Sequence, residues 1–190
     1  MRNLYLFNMT TVDGYFEGTK KWEIDWHNVD DEFNDFAIKQ LDATGTLMFG
    51  RVTYEGMAGY WPTQRAIQSD PDIAERMNSI EKVVVSTTLR RADWENTRIV
   101  HANVKEEIRK LKGLPGKEIG VFGSANLADS LINSGLVDEC RIIINPIALG
   151  KGNSLFKANG DRTNLRLLGT TTFKSGNVLL RYGMEKKVYT

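Results

Sequence analysis

The chain is poor in the residues that small metal-bound and disulfide-stapled folds depend on. It has one cysteine, Cys140, and two histidines, His27 and His101, among 190 residues. A single thiol excludes an intrachain disulfide framework, and two imidazoles with one thiol argue against a structural zinc site. No partner pattern around either histidine suggests a hydrolytic triad, and the Gly-x-Ser-x-Gly elbow is missing. Both histidines are expected as ordinary loop or surface residues. Net charge is nearly absent too: 25 Lys and Arg stand against 24 Asp and Glu, leaving +1. That gives no bulk attraction to nucleic acid or to an anionic membrane, so partners have to be argued from sites. No apolar run approaches the ~20 residues of a membrane helix, and Leu4–Phe7 is too short for a signal peptide. These absences lead us to expect a cytoplasmic protein that holds no metal and binds neither nucleic acid nor membrane. Repeats, low-complexity stretches and linkers are missing, so residues 1–190 are expected to form a single domain.

What is present is a strand–glycine–helix corner, Val121-Phe122-Gly123-Ser124-Ala125-Asn126-Leu127. A short apolar strand meets a glycine, then a serine placed to cap the helix that follows. Such a corner presents free backbone N–H groups and the positive end of a helix dipole, a seat suited to phosphate. A second corner lies upstream, Leu47-Met48-Phe49-Gly50-Arg51-Val52-Thr53-Tyr54-Glu55-Gly56. Arg51 falls in the first helical turn, where a cation opposes the dipole and an external anion would offset that cost. Two phosphate corners in one domain point to a dinucleotide. The Gly-x-Gly-x-x-Gly fingerprint is nevertheless absent.

The rest of the chain alternates strand and helix. Strands are expected at Leu4–Met9, Leu47–Phe49, Lys82–Ser86, Ile99–Val100, Ile119–Phe122 and Arg141–Leu149. Helices are expected over Asp30–Leu41, Thr53–Ala58 and Asp72–Ser79, from Asn103 as cap to Lys112, and from Ala125 to Gly135. Pro146 argues for a bend or an edge within the long strand. Leu165–Phe173 and Val178–Met184 flank Ser175-Gly176-Asn177 and read as a β-hairpin. The fold class is α/β, a mostly parallel sheet with helices on both faces and an antiparallel C-terminal hairpin.

Other residues carry chemistry with less specificity. Ser86 and Thr87 lie past the end of a buried strand, followed by Arg90 and Arg91, where open α/β sheets bind ligands. Asp13 and Gly14 follow the first strand, and Asp13 reads either as a turn residue or as a ligand contact. Gly150-Lys151-Gly152 lacks the spacing of a phosphate loop and reads as a turn. Tyr54, Trp61 and Trp94 are expected to pack rather than to stack on a ligand.

Taken in order, Val12-Asp13-Gly14, the Leu47–Gly56 corner, Val83-Val84-Val85-Ser86, the Val121–Leu127 corner and Asn145–Gly152 resemble the dihydrofolate reductase-like superfamily. The resemblance spans essentially the whole chain. It is nearest to the C-terminal reductase domain of the bifunctional riboflavin-biosynthesis deaminase-reductase. It implies a three-layer sandwich and an NADPH-dependent oxidoreductase, often a homodimer. Hydride would pass to a small heterocycle of the ribosylamino-pyrimidine or pterin-like kind, as in phosphoribosylaminouracil reductase. By the same resemblance Gly50, Arg51 and Thr53 match a cofactor motif near the pyrophosphate and the 2′-phosphate. Ser86 and Thr87 match its strand-end hydroxyls. Gly123, Ser124, Ala125, Asn126 and Leu127 match its phosphate turn, with Phe122-Gly123 in place of paired glycines. Asp13 and Gly14 match the loop over the nicotinamide, which makes Asp13 the candidate catalytic residue. The acidic residue that binds pterin on the first helix has Asp31 and Asp35 as rough counterparts. The rival reading, from another class, is a non-catalytic dinucleotide-binding homodimer acting as a sensor or structural protein.

Overall fold

The computed structural model describes residues 1–156 and 162–185; the far end of the expected domain, residues 186–190, lies outside them. The chain opens with β1 (Leu4–Thr11), β2 (Tyr15–Glu17), α1 (Asp31–Ala43), β3 (Thr44–Gly50) and α2 (Arg51–Tyr60). Next come α3 (Gln64–Ser69), α4 (Pro71–Ser79), β4 (Glu81–Val85), β5 (Thr97–Val100) and α5 (Val104–Gly113). It closes with β6 (Glu118–Phe122), α6 (Ala125–Asn133), β7 (Glu139–Asn145), β8 (Asn153–Ser154), β9 (Leu165–Thr172) and β10 (Val178–Met184).

Eight strands form one sheet in the order β5-β4-β3-β6-β1-β7-β10-β9. All neighbours from β5 to β7 are parallel, and β10 runs antiparallel to both β7 and β9. β1 lies inside the sheet because Leu4, Tyr5 and Leu6 are buried on alternating faces, as a strand covered on both sides requires. On one face Leu6, Met48 and Val121 pack under Ile108 and Leu111 of α5 and Leu127 and Leu131 of α6. On the other, Tyr5, Leu47 and Phe49 pack under Leu41, Tyr54, Ile73 and Met77 from α1, α2 and α4. Tyr54 and Trp94 are core residues, as expected. β2 and β8 pair separately as a short antiparallel ribbon.

Three local expectations are corrected. β7 stops at Asn145 rather than Leu149, because Pro146 has no N–H to continue a ladder. Asn103 precedes α5 in a left-handed conformation and makes no side-chain cap hydrogen bond. α3 was not expected from the sequence; its six residues are started by the Thr63 side chain, which accepts from the Ala66 N–H.

At the N-terminal ends of the strands, away from the cleft described below, lies a buried charge cluster. The Arg141 guanidinium donates to both carboxylate oxygens of Glu118 at 2.9 Å and to Glu139 at 3.0 Å. It also lies over the Tyr5 ring, 3.8 Å from its centroid. Arg181 donates to Glu139 from β10 at 2.7 Å. Burial alone pushes the Glu139 carboxyl up, but the hydrogen bonds from Arg141 and Arg181 outweigh it and hold the group below its ordinary value. Among the described residues no helix is long and apolar enough to cross a membrane, and no cluster of His, Cys, Asp and Glu is arranged to hold a metal ion.

Candidate functional site

Both strand–glycine–helix corners form, and a single hydroxyl joins them. Ser124 Oγ accepts from the Gly50 N–H at 2.9 Å and donates to Thr53 Oγ1 at 2.6 Å. Ser124 therefore does not cap α6, contrary to the sequence expectation: Gly123 and Ser124 are both left-handed, at φ +60° and +58°, which turns the hydroxyl back toward β3. A non-glycine residue in that region is strained and persists only where its surroundings fix it. The fit around it is close. A Cβ on Gly50 would lie 3.0 Å from Ser124 Oγ, and one on Gly123 would lie 3.1 Å from Thr53 Cγ2. Neither α2 nor α6 has a side-chain cap, a state shared by α4 and α5, whereas Asp30 and Thr63 cap α1 and α3. The α2 and α6 starts are distinguished by the glycine before each and by the Ser124 hydroxyl that ties them at one cleft.

That cleft, about 1130 Å³, lies at the C-terminal ends of the parallel strands. Ten of the residues singled out in the sequence line it: Gly50, Arg51 and Thr53; Ser86 and Thr87; and Gly123, Ser124, Ala125, Asn126 and Leu127. The Arg51 guanidinium is exposed and pairs with Glu55 one turn along at 2.8 Å. Ser86 Oγ closes its own turn by accepting from the Thr88 and Leu89 N–H groups, and His101 Nδ1 bonds the Ser86 carbonyl at 2.9 Å.

Asp13 and Gly14 are not brought to the cleft. The Asp13 carboxylate accepts from Thr11 Oγ1, from the Leu149 N–H at 3.2 Å and from the Gly150 N–H at 2.7 Å. The Thr11 hydroxyl, joined by those two backbone donors, holds its carboxyl below the usual range. Asp13 is thus a staple between two loops, kept ionised by its donors. Asp31 and Asp35 are also elsewhere. The α1 face that lines the cleft carries Phe33, Asn34, Ala37, Gln40 and Leu41, while both aspartates are exposed. At about 3.6 residues per turn, one position moves a side chain about 100° round the helix, so an amide stands where a carboxylate was expected.

The other wall is the connection from Gly18 to Val29, for which the sequence gives no periodic signal. Trp22, in left-handed conformation, lays its indole on Gly56 of α2, so closely that a Cβ there would overlap the ring. At the other end Asn28 is held three times. Its N–H donates to Asn145 Oδ1 at 2.9 Å, its side-chain amide to the Ser175 carbonyl at 2.8 Å, and its carbonyl accepts from Asn177 Nδ2 at 2.6 Å. Between these anchors, His27 lies in a loop, as expected, but is not exposed on the surface. It lines the cleft, and its Nε2 is buried with no hydrogen-bond partner. Burial pushes the His27 imidazole down to about 4. The unfolded chain, with a value of about 6.5, therefore binds the proton first, and stability is lost as pH falls from about 6.5 toward 4. His27→Gln, which has no such proton to exclude, is expected to gain on the wild type over that interval; melting temperatures taken across it test the point. Parallel curves would mean that the imidazole is not held neutral.

With this geometry in place the comparisons can be read. The sequence matches the RibD C-terminal domain family over residues 2–179. The chain belongs to that family. It is 36% identical over 183 residues to the uncharacterised protein YyaP of Bacillus subtilis (strain 168), a match covering 95% of this chain and 94% of that one. Among solved structures, one from Shewanella sp. PV-4 superposes with a TM-score of 0.73 at 20% identity, covering 97% of this chain and 99% of the other. Dihydrofolate reductase from Enterococcus faecalis, complexed with NADP(H) and RAB-propyl, superposes with a TM-score of 0.65 at 14% identity, covering 97% of both. At these identities the two structures establish the fold alone, which is reductase-like with dihydrofolate reductase-type architecture.

Proposed function

We propose that this RibD-type chain is an NADPH-dependent reductase that reduces a small heterocyclic substrate. The observation that carries this reading is the pair of helix starts, uncapped by side chains, tied together by Ser124 and facing one cleft. Pyrophosphate is the ligand class suited to two such starts. The glycines at positions 50 and 123 let backbone approach it, and a side chain at either would fill the cradle. Gly50, Thr53, Gly123 and Ser124 would hold the nucleotide's pyrophosphate, and the bound NADPH would supply a hydride for an electrophilic carbon of the substrate. The chain's own part is positioning, the effect that brings reacting atoms to roughly 3–3.5 Å. Phe7 and Phe122, tilted with centroids 5.1 Å apart, form an aromatic patch of the cleft, and Trp22, Ile24, His27 and Val29 of the Gly18–Val29 connection add to its lining.

Arg51 is assigned the preference for NADPH over NADH. A 2′-phosphate suits the planar donor fork of arginine, and charge-assisted bonds of this kind contribute roughly 1.5–3 kcal/mol. Arg51→Ala is expected to weaken NADPH by roughly ten- to a hundredfold and to leave NADH almost unchanged. Titration of both nucleotides against both proteins reads this. An equal fall in the two affinities would move Arg51 to the shared pyrophosphate.

We also propose a homodimer. β9 is an edge strand, and it exposes Leu167 and Leu168 at 54% and 42%. An apolar sheet edge left bare invites pairing with another chain. Light scattering at micromolar concentration is expected to return twice the monomer mass, and Leu167→Lys to shift it toward the monomer; a monomeric wild type would end this proposal.

A further inference from the structure

We propose that the inner end of the cleft is a slot for a flat, uncharged ring compound and discriminates against a phosphorylated one. This rests on the reductase reading and sharpens its substrate. The first observation is the wall material. Phe7, Phe33, Trp22, Met57 and Trp61 all line the cleft, so the surfaces offered are broad, apolar and largely aromatic. Trp22 reaches its place only because Gly56 has no side chain to displace the indole.

The second observation is that the hydrogen-bonding side chains at this end are neutral and unsatisfied. Asn34 Oδ1, Gln40 Oε1 and His27 Nε2 are buried without a partner, and all three residues line the cleft. Buried polar atoms are nearly always paired, so three lining one cleft, from α1 and from the facing connection, mark a surface whose partners arrive with a ligand. A ring edge bearing N–H and C=O groups supplies such partners, with neutral matching neutral.

The third observation is the sign of the charge present. Asp70, the residue at the start of α4, lines the cleft, and Asp72 follows it in the first turn. Asp70 sits at the positive end of the α4 dipole, which an anion would otherwise use. Glu17 adds a further negative charge in the lining, held by the Trp22 N–H and the Asn153 side chain. Lys20 and Lys21, in the same connection as Trp22, are exposed and are not among the lining residues, and the lining cation Arg51 is the one assigned to the nucleotide. A phosphomonoester, with about two negative charges at neutral pH, would be desolvated here against carboxylates.

Lumichrome, riboflavin and FMN test this, since they share a flat ring system and only FMN carries a phosphate. Each is titrated by fluorescence against protein saturated with NADP⁺. Lumichrome and riboflavin are expected to bind about tenfold or more tighter than FMN, and Asp70→Lys to narrow the gap by about threefold. Asn34→Leu is expected to weaken riboflavin by about fivefold or more while leaving the melting temperature unchanged or raised, because it removes an unpaired buried amide. A purely structural Asn34 would instead lower the melting temperature. Equal affinities, tighter binding of FMN, or binding of none of the three overturns the slot. Failure of NADP⁺ to bind overturns the reductase reading instead, and the same titrations on nucleotide-free protein still report on the slot.

Discussion

Gly123→Val is expected to lose NADPH binding by about a hundredfold or more, equivalent to roughly 2.7 kcal/mol, while the chain remains folded. The glycine sits at φ +60°, and left-handed backbone costs a residue with a side chain roughly 1–2 kcal/mol. A β-branched residue fares worse there, and its Cβ would press on Thr53 Cγ2 at 3.1 Å. Relief is available only by moving α2 away from α6, which breaks the hydrogen bonds from Ser124 to Thr53 and from Gly50 to Ser124. The effect therefore reaches both corners. Gly123→Ala should show the same direction with a smaller loss. Circular dichroism and a melting curve separate misfolding from lost binding. A valine variant that is folded and binds NADPH normally would show that this corner is not the phosphate seat.

Arg141→Met should have the largest effect on stability, a loss of about 3–5 kcal/mol in urea unfolding, the range for breaking a buried ion pair by removing one partner. The methionine fills similar space, so the loss comes from removing the cation that Glu139 and Glu118 share rather than from an empty volume. Glu139 keeps Arg181 as a partner, while Glu118 loses both of its bonds to Arg141 and keeps only a neutral donor, Asn3. The pH dependence follows from the same residues. Because Glu139 is held below its ordinary value, its contribution is present above about pH 4.3, the unfolded value, and is lost as pH falls through the folded one. In Arg141→Met, burial is opposed only by Arg181, so the acid limb of the stability curve should begin at higher pH. Adding Glu139→Gln should restore part of the loss. A change below about 1 kcal/mol, the scale of an exposed pair, would show that the cluster is effectively solvated.

The parts of the molecule written in local pattern were legible in the sequence. Apolar runs ending on Gly50 and on Phe122-Gly123 announced β3–α2 and β6–α6, and the ten residues named around those corners and the end of β4 converge on one cleft. The parts that depend on distant contacts were not. Ser124 has the composition of a helix cap, and only its contacts with residues 71 and 74 positions away show why it is not one. Asp31 and Asp35 were named as rough counterparts of the pterin-binding acid that the resemblance implies, while the phase of α1 turns Asn34 and Gln40 into the cleft instead. His27 and Trp22 lie in a stretch without periodicity, placed by the Gly56 seat and the Asn28 contacts. Two tryptophans, Trp22 and Trp26, in an otherwise loop-like segment were the available hint.

The three bonds to Asn28 also set a schedule for the growing chain. Ser175 and Asn177 belong to the turn of the last hairpin, nearly 150 residues downstream of the segment they hold. During synthesis β1, α1 and both phosphate corners exist well before that turn does. The wall that carries Trp22 and His27 cannot lock until the turn between β9 and β10 has emerged and paired with Asn28. Until then the substrate half of the cleft stands ajar, so competence to select a substrate is the last property the polypeptide acquires.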